Sequence, residues 1–403
     1  MIYSDKIHIW DFPPTKTALQ LKKEFRTTLI NKAIQVIGSE PKTVYLLNKR
    51  SRQYDILRKY SRGTLYTLRD SNSRNIPLWI AIELTKIISK SNHKNNKWIQ
   101  KLEKNIDYYC CNSPSTYKIK NPKLPILITP EFVSIFFHFC GDGHLSNKRQ
   151  VMDSYRQMNL IGLKRVYSIL TNIFGDFDLA INQFNVGKLH IPKIIGDIYR
   201  MYYSVEECRW NSARIPVKIK NMSKDFLLAG LISFLVDEAN ISEIIEIYSK
   251  NYELLMDIID ITSKCGYNTN HIRKKYAYGI FDCYRFTISS SSYHQLYNDI
   301  LLLNKQWPYC NLAHKIDKLK QLATRCNKKN KSKTQKGMTK NKILNKLIQP
   351  DTIYNLSNKL NLSPSTIREH LWKLEEESKI IRIKTNNRSL LWQTKTQPIS
   401  FDV

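Results

Sequence analysis

Ile135–Ser146 reads IFFHFCGDGHLS, and Leu227–Ser242 reads LLAGLISFLVDEANIS. Each is an apolar stretch of helical length that stops at an acidic residue and gives way to a short polar turn. The acids are Asp142 and Glu238. Taken singly, either stretch is an ordinary buried helix with a polar end. The sequence behind them argues for more. Asn159–Gly175 (NLIGLKRVYSILTNIFG) and Asn251–Gly266 (NYELLMDIIDITSKCG) are both amphipathic helices ending in a glycine suited to a left-handed C-cap. A strand-like run follows each, Leu179–Ile191 and His271–Ser289, the second with the alternation and aromatics of a hairpin turning near Gly279. Each copy closes on a further helix, Pro192–Tyr202 and Tyr293–Leu303. A helix–strand–strand–helix unit occurring twice predicts an α+β core of two halves related by a pseudo-two-fold axis.

These paired motifs resemble the LAGLIDADG homing endonucleases of the single-chain, two-motif type, over roughly residues 120–322. Lys123–Phe132 (KLPILITPEF) and Arg214–Pro216 (RIP) resemble the family's lead-ins to its two motifs. The resemblance implies two αββαββα-like halves, about 120–210 and 211–322, with curved antiparallel sheets forming a saddle over the DNA major groove. It implies Mg²⁺ held by the last acid of each motif, Asp142 and Glu238, each site cutting one strand. It also implies base and phosphate contacts from the strand runs, here Gln183, Asn185, Lys188, Arg273, Lys274, Lys275 and Arg285. A nuclease of this kind needs a basic group near each scissile phosphate to offset developing charge or orient the attacking water. Arg214 is the candidate for one site, with Lys218 close behind. Lys318 is the candidate for the other, near Lys305 and Lys315.

The chain departs from the family where small residues normally line the paired helices. Phe136, Phe137 and His138 stand there in the first copy, which should spread the helices or force repacking. In the second copy LAGLI at Leu228–Ile232 runs on into Ser233–Val236 rather than an acid. Aligning on Asp237-Glu238-Ala239 puts Glu238 opposite Asp142 and Ala239 where glycine is usual, with Asp237 the alternative acid. Glutamate in place of aspartate remains a hard oxygen ligand, one methylene longer.

A formal net charge of +30 points to a polyanionic partner, with nucleic acid the default. No apolar run is long enough to span a membrane, and Met1–Pro14 has the composition of neither a span nor a signal peptide, so an intracellular protein is expected. The 8 cysteines are scattered without a C-x-x-C pair, which argues against structural zinc and for packed thiols. Nothing resembles a Walker loop, a nucleophile elbow or a dinucleotide fingerprint.

Both flanks carry further signals. Lys342–Ile348, Thr352–Leu360 and Pro364–Glu377 read as three helices, the last capped by Ser363 or Ser365. Ile380–Gln393 reads as two short strands around Asn386-Asn387. Three helices and a hairpin resemble a winged helix-turn-helix, in which the third helix enters the major groove. Thr366, Arg368 and Lys373 are its expected contacts. Arg325–Lys342 holds eight basic residues and no acid, and reads as a flexible tether that also grips phosphates. Residues 1–119 read as a helical domain, with Thr15–Gly38 one long amphipathic helix. Within it, Arg62–Ile88 is similar to a phage-repressor helix-turn-helix, with a recognition helix at Thr64–Asp70 and Pro77 opening the next helix.

The expected function is Mg²⁺-dependent, site-specific cleavage of double-stranded DNA by a monomer, intron-encoded or from a mobile element. Two alternatives remain: a non-cleaving transcriptional regulator on the same fold, and an RNA-splicing maturase, for which RNA is the partner.

Overall fold

A computed structural model describes residues 5–57, 59–71, 74–91, 97–112, 117–148, 150–179, 184–209, 211–329, 338–360, 362–384 and 390–395. The protein mixes helices with several small antiparallel sheets. It divides into two compact units: Met1–Asn240 with Glu246–Thr287 and Asn298–His314, and Ile241–Ile245 with Ile288–Tyr297 and Lys315–Val403.

Two central helices, Pro130–Cys140 and Lys224–Glu238, organise the first unit. Every residue of the first is buried, and Phe226–Val236 of the second are buried on all sides. This suits helices apolar around their whole circumference rather than along one stripe. Thr129 caps the first by accepting the Phe132 N–H, and Pro130 occupies the position where a missing N–H costs nothing.

One topology follows each central helix. After the first come strands Gly143–His144 and Asp153–Arg156, helix Leu160–Phe174, strand Lys188–Ile191 and helix Lys193–Tyr203. After the second come strands Ala239–Ile241 and Ile245–Ser249, helix Tyr252–Lys264, strands Arg273–Ala277 and Ile280–Ile288, and helix Tyr293–Gln306. In the first sheet the strand order is Gly143–His144, Asp153–Arg156, Lys188–Ile191. In the second it is Ala239–Ile241, Ile245–Ser249, Ile280–Ile288, Arg273–Ala277. The late strand thus joins the same neighbour in both copies. The helices behind the hairpins start alike, with Asn159 and Asn251 as N-caps whose side chains accept N–H groups of the first turn.

Several expectations are corrected. Of the run Leu179–Ile191 only Lys188–Ile191 is strand among the described residues; Phe184–Gly187 is a turn, and residues 180–183 lie outside the described set. Gly175 has φ +114° and ψ 178°, a glycine-only conformation but not the left-handed helical one, and a Cβ there would lie 2.6 Å from the Lys120 carbonyl oxygen. Thr15–Gly38 is not one helix. Thr17–Leu21 is a strand and Lys23–Ile37 the helix, ended by Gly38 at φ +99°.

That strand lies inside a sheet ordered Ile76–Pro77, Thr17–Leu21, Ile106–Cys111, Ile119–Lys120, so residues 1–119 are mixed rather than helical. Pro77 ends a strand there, and the next helix, Leu78–Ser91, begins one residue later. The loop of the proposed N-terminal helix-turn-helix therefore contains a strand paired to Thr17–Leu21, and Arg62–Asp70 is the helix before it. Both ends of the expected tether are helical, in Ile316–Lys329 and Met338–Lys346; residues 330–337 lie outside the described set.

In the second unit, helices Met338–Lys346, Ile353–Leu360 and Pro364–Glu376 and the hairpin Ile380–Lys384/Leu390–Thr394 close around Ile343, Leu347, Leu356, Ile367, Leu371, Leu374, Ile380 and Trp392. Asp351 and Trp392 exchange both backbone hydrogen bonds (3.0 and 2.9 Å), tying the loop before the second helix to the hairpin. Asn386-Asn387 at the hairpin tip lies outside the described residues.

Candidate functional site

The two central helices fit together through two small residues. A Cβ on Gly230 would lie 2.3–2.6 Å from three ring atoms of Phe137, so the missing side chain is the space the ring fills. The bulky first helix is therefore repacked, not spread. At the helix ends, a Cβ on Gly141 would meet Asp237 Cβ at 3.0 Å. The chain then folds back on the first helix. A Cβ on Gly143 would lie 2.4 Å from Phe139 Cα, so only glycine fits this turn.

Asp142 lies in that turn and is exposed, one residue before strand Gly143–His144. Glu238 ends the second helix and is half-buried, one residue before strand Ala239–Ile241. Strand starts thus match Asp142 with Glu238 and Gly141 with Asp237, although the first helix ends at Cys140, two residues before its acid, and the second ends at Glu238 itself.

Asp237 is a different kind of residue. Its side chain is fully enclosed. It pairs with the buried His138 Nδ1 at 2.8 Å, accepts the Tyr155 hydroxyl at 2.6 Å and lies 3.4 Å from Gln157 Nε2. Burial, reinforced by the Asp237 charge, pushes the Tyr155 hydroxyl well above its ordinary pKa, so it stays a donor. Arg165 completes the surroundings. Burial lowers its pKa, while the charges of Tyr155 and Asp237 act in the other direction. One of its nitrogens donates to the Asn311 carbonyl at 2.8 Å, whereas Nε and Nη2 have no hydrogen-bond partner. A buried pair of this kind is weak evidence for stability, but removing one partner is costly. The sequence showed His138 and Asp237 only as irregularities in two motifs; their meeting depends on helix packing.

The expected basic residues are placed as follows. Arg214 clamps Asp257 with two hydrogen bonds (2.8 and 3.0 Å) and approaches Glu253 at 3.1 Å, so its guanidinium is committed to helix Tyr252–Lys264. Lys220 reaches the same Asp257 at 2.5 Å. Burial alone would raise the Asp257 pKa, but Arg214, Lys220 and the Ile215 amide overcome it and hold the carboxyl below its ordinary range. Lys218 Nζ sits 3.3 Å from the centroid of the Tyr202 ring, and burial lowers its pKa. Lys318 is exposed on helix Ile316–Lys329, in the second unit.

Among the sheet residues, Gln183 lies outside the described set, Asn185 is exposed in a turn, and Lys188 is half-buried opposite Arg156. Arg273 and Lys274 are exposed; Lys275 lies 4.5 Å from the Tyr248 ring centroid, and Arg285 pairs with Glu246 at 2.6 Å. No group of three or more His, Cys, Asp or Glu that could hold a metal occurs among the described residues. Among the described residues, seven cysteines are buried free thiols.

On helix Pro364–Glu376, Ser363 is the N-cap, accepting the Thr366 N–H at 3.1 Å, and the Thr366 hydroxyl bonds back to it at 2.6 Å. Lys373 pairs with Glu369 at 2.7 Å, and Arg368 lies 3.4 Å from Glu243. The first pair is solvent-facing, the kind that adds little stability, and the second is partly buried. Residues 338–377 match the arsR family of bacterial regulatory proteins. The match spans the three helices, so the C-terminal domain is a helix-turn-helix, and DNA binding follows from it. No curated protein matches the chain. No described helix is long and apolar enough to cross a membrane.

Proposed function

We propose that this protein is a site-specific DNA endonuclease of the LAGLIDADG homing type, a monomer acting inside the cell on double-stranded DNA. The observation that carries the reading is the repeated topology, in which each central helix delivers one acid to the same place before its hairpin. Asp142 and Glu238 are the residues that would hold Mg²⁺. Their donor set suits it, because Mg²⁺ takes one or two carboxylates and completes its shell with waters and substrate phosphates, so no all-protein cluster is required. Bound there, the ion would supply Lewis-acid stabilisation of the phosphodiester and a more acidic attacking water.

The chain's own residues do the rest. Gly143 lets the turn fold tightly enough to present Asp142, and Asp237, held by His138 and Tyr155, packs against Gly141 and fixes that turn. Arg214 acts through Asp257, bracing the lead-in to the second central helix. Arg273, Lys274 and Lys275, with Asn185, Lys188 and Arg285, meet phosphates and base edges, and the C-terminal helix adds a second contact.

The arsR-family match favours one other reading, a regulator that binds DNA without cutting it. A supercoiled plasmid library incubated with Mg²⁺ or EDTA separates the two. The endonuclease gives metal-dependent linear product at a defined site; the regulator gives salt-sensitive binding and no cut.

A further inference from the structure

The hairpin of the second sheet has an aromatic tip that nothing in the fold explains. Strands Arg273–Ala277 and Ile280–Ile288 turn at Tyr278 and Gly279, with φ +52° and +79°. Two positive φ angles in a two-residue loop are what a hairpin turn of this hand requires, and Asn, Asp or Gly normally supply them. A tyrosine at the first position is strained, and its side chain gains no burial in return. Tyr278 is 104% exposed, Ile280 74%, Tyr276 57% and Phe281 42%.

Just behind the tip the aromatics are braced. Tyr276 meets Phe281 edge-on at 6.3 Å, Phe281 meets Tyr284 at 5.0 Å, and Tyr284 meets Tyr252 at 5.2 Å. The rings near the tip are therefore anchored through a row that runs back to helix Tyr252–Lys264. Three consecutive cations, Arg273, Lys274 and Lys275, flank them, with Asp282 the one acid on these two strands.

An apolar tip on a braced arm, with Arg273 and Lys274 exposed on the strand behind it and Lys275 beside Asp282 at 3.6 Å, fits a polyanion with apolar faces stacked inside it. We infer that this hairpin is a DNA wedge: Arg273 and Lys274 grip the backbone, and Tyr278, backed by Ile280, enters between two base pairs and unstacks them. The inference deepens the proposed function and rests only on its DNA-binding part. Wedges of this kind unwind and kink the duplex, and the flexible pyrimidine–purine steps of an A·T-rich site yield most easily. The charge balance favours DNA over a protein partner on this face.

The test uses a relaxed closed-circular plasmid and a metal-independent type IB topoisomerase in EDTA, so that cleavage plays no part and no target sequence is needed. The full-length protein is added at concentrations that give equal plasmid occupancy for each variant. The wild type shifts the topoisomer ladder in the unwinding sense, in proportion to protein bound. Tyr278→Phe keeps the shift, and Tyr278→Ala loses at least half of it. At equal salt, Tyr278→Ala also weakens binding by about 10-fold, the usual order for a lost base–aromatic stack. Tyr278 is fully exposed, so the alanine variant keeps the fold, which circular dichroism checks. A Tyr278→Ala ladder identical to the wild type at equal occupancy would overturn the proposal. So would a saturated wild type that leaves the ladder unshifted. Absence of plasmid cleavage by the wild type in Mg²⁺ would instead count against the endonuclease reading and leave the wedge standing.

Discussion

Gly230→Ala is the sharpest test of how the central helices fit. The new methyl would lie 2.3, 2.5 and 2.6 Å from Phe137 Cε2, Cδ2 and Cζ, where carbon–carbon contacts are best at about 3.5–4.0 Å. The ring must retreat by about 1 Å in a core where it is wholly buried. Overpacking a closed core costs about 1–3 kcal/mol, and the severity of this overlap argues for the upper end. Alanine returns about 1 kcal/mol of helix propensity, which leaves a net loss of ~2 kcal/mol. Equilibrium urea unfolding reads this as a midpoint lowered by roughly 0.5–1 M, for a slope of about 2–4 kcal/mol/M in a unit this size. Phe137→Leu in the Gly230→Ala background should recover ~1 kcal/mol, giving a coupling that distant sites would not show. A Gly230→Ala protein as stable as the wild type, or more so, would refute the packing described here.

Three other outcomes follow. Gly143→Ala, whose Cβ would meet backbone at 2.4 Å, displaces the Asp142 turn; cleavage should fall by about 100-fold with little change in DNA affinity by gel shift. Asp257 has a folded pKa below its unfolded value near ~3.9, so its contribution is present above about pH 4 and is lost as pH falls through the folded pKa. Asp257→Asn should therefore cost on the order of 2 kcal/mol at pH 7 and flatten the acid limb of stability against pH; an unchanged acid limb contradicts it. Lys373→Ala should lower the slope of log affinity against log salt by about 1, measured by fluorescence anisotropy on a mixed-sequence duplex; an unchanged slope removes Lys373 from the phosphate contacts.

Local chemistry was legible in the sequence where it acts over one helical turn. Ser363, one of the two serines expected at that cap, takes it, and the Tyr278-Gly279 turn includes the glycine that announced it. Long-range complementarity was not. Thr17–Leu21 is short and apolar enough to pass for the start of the next helix; its identity as a strand comes from pairing with Ile106–Cys111, some 90 positions on. Phe137 looked like an intruder because Gly230, which accommodates it, sits three residues before Ser233, the position that the motif alignment compares with it. Arg214 suggested a free cation until Asp257, 43 residues away, took it up. Asp237 and Glu238 were indistinguishable as letters. Packing separates them, one enclosed between helices and the other half-buried at a helix end.

The central claim is that the two helix ends form two cleaving sites, and a supercoiled-plasmid assay tests it most directly. Wild-type protein, Asp142→Asn, Glu238→Gln and the double variant are incubated with a library of candidate sites in Mg²⁺ and in EDTA. The account predicts linear product from the wild type in Mg²⁺ alone, nicked circles from each single variant on opposite strands, and intact plasmid from the double variant. Tight, salt-sensitive binding by all four proteins with no cut in either condition would contradict it and leave a DNA-binding regulator.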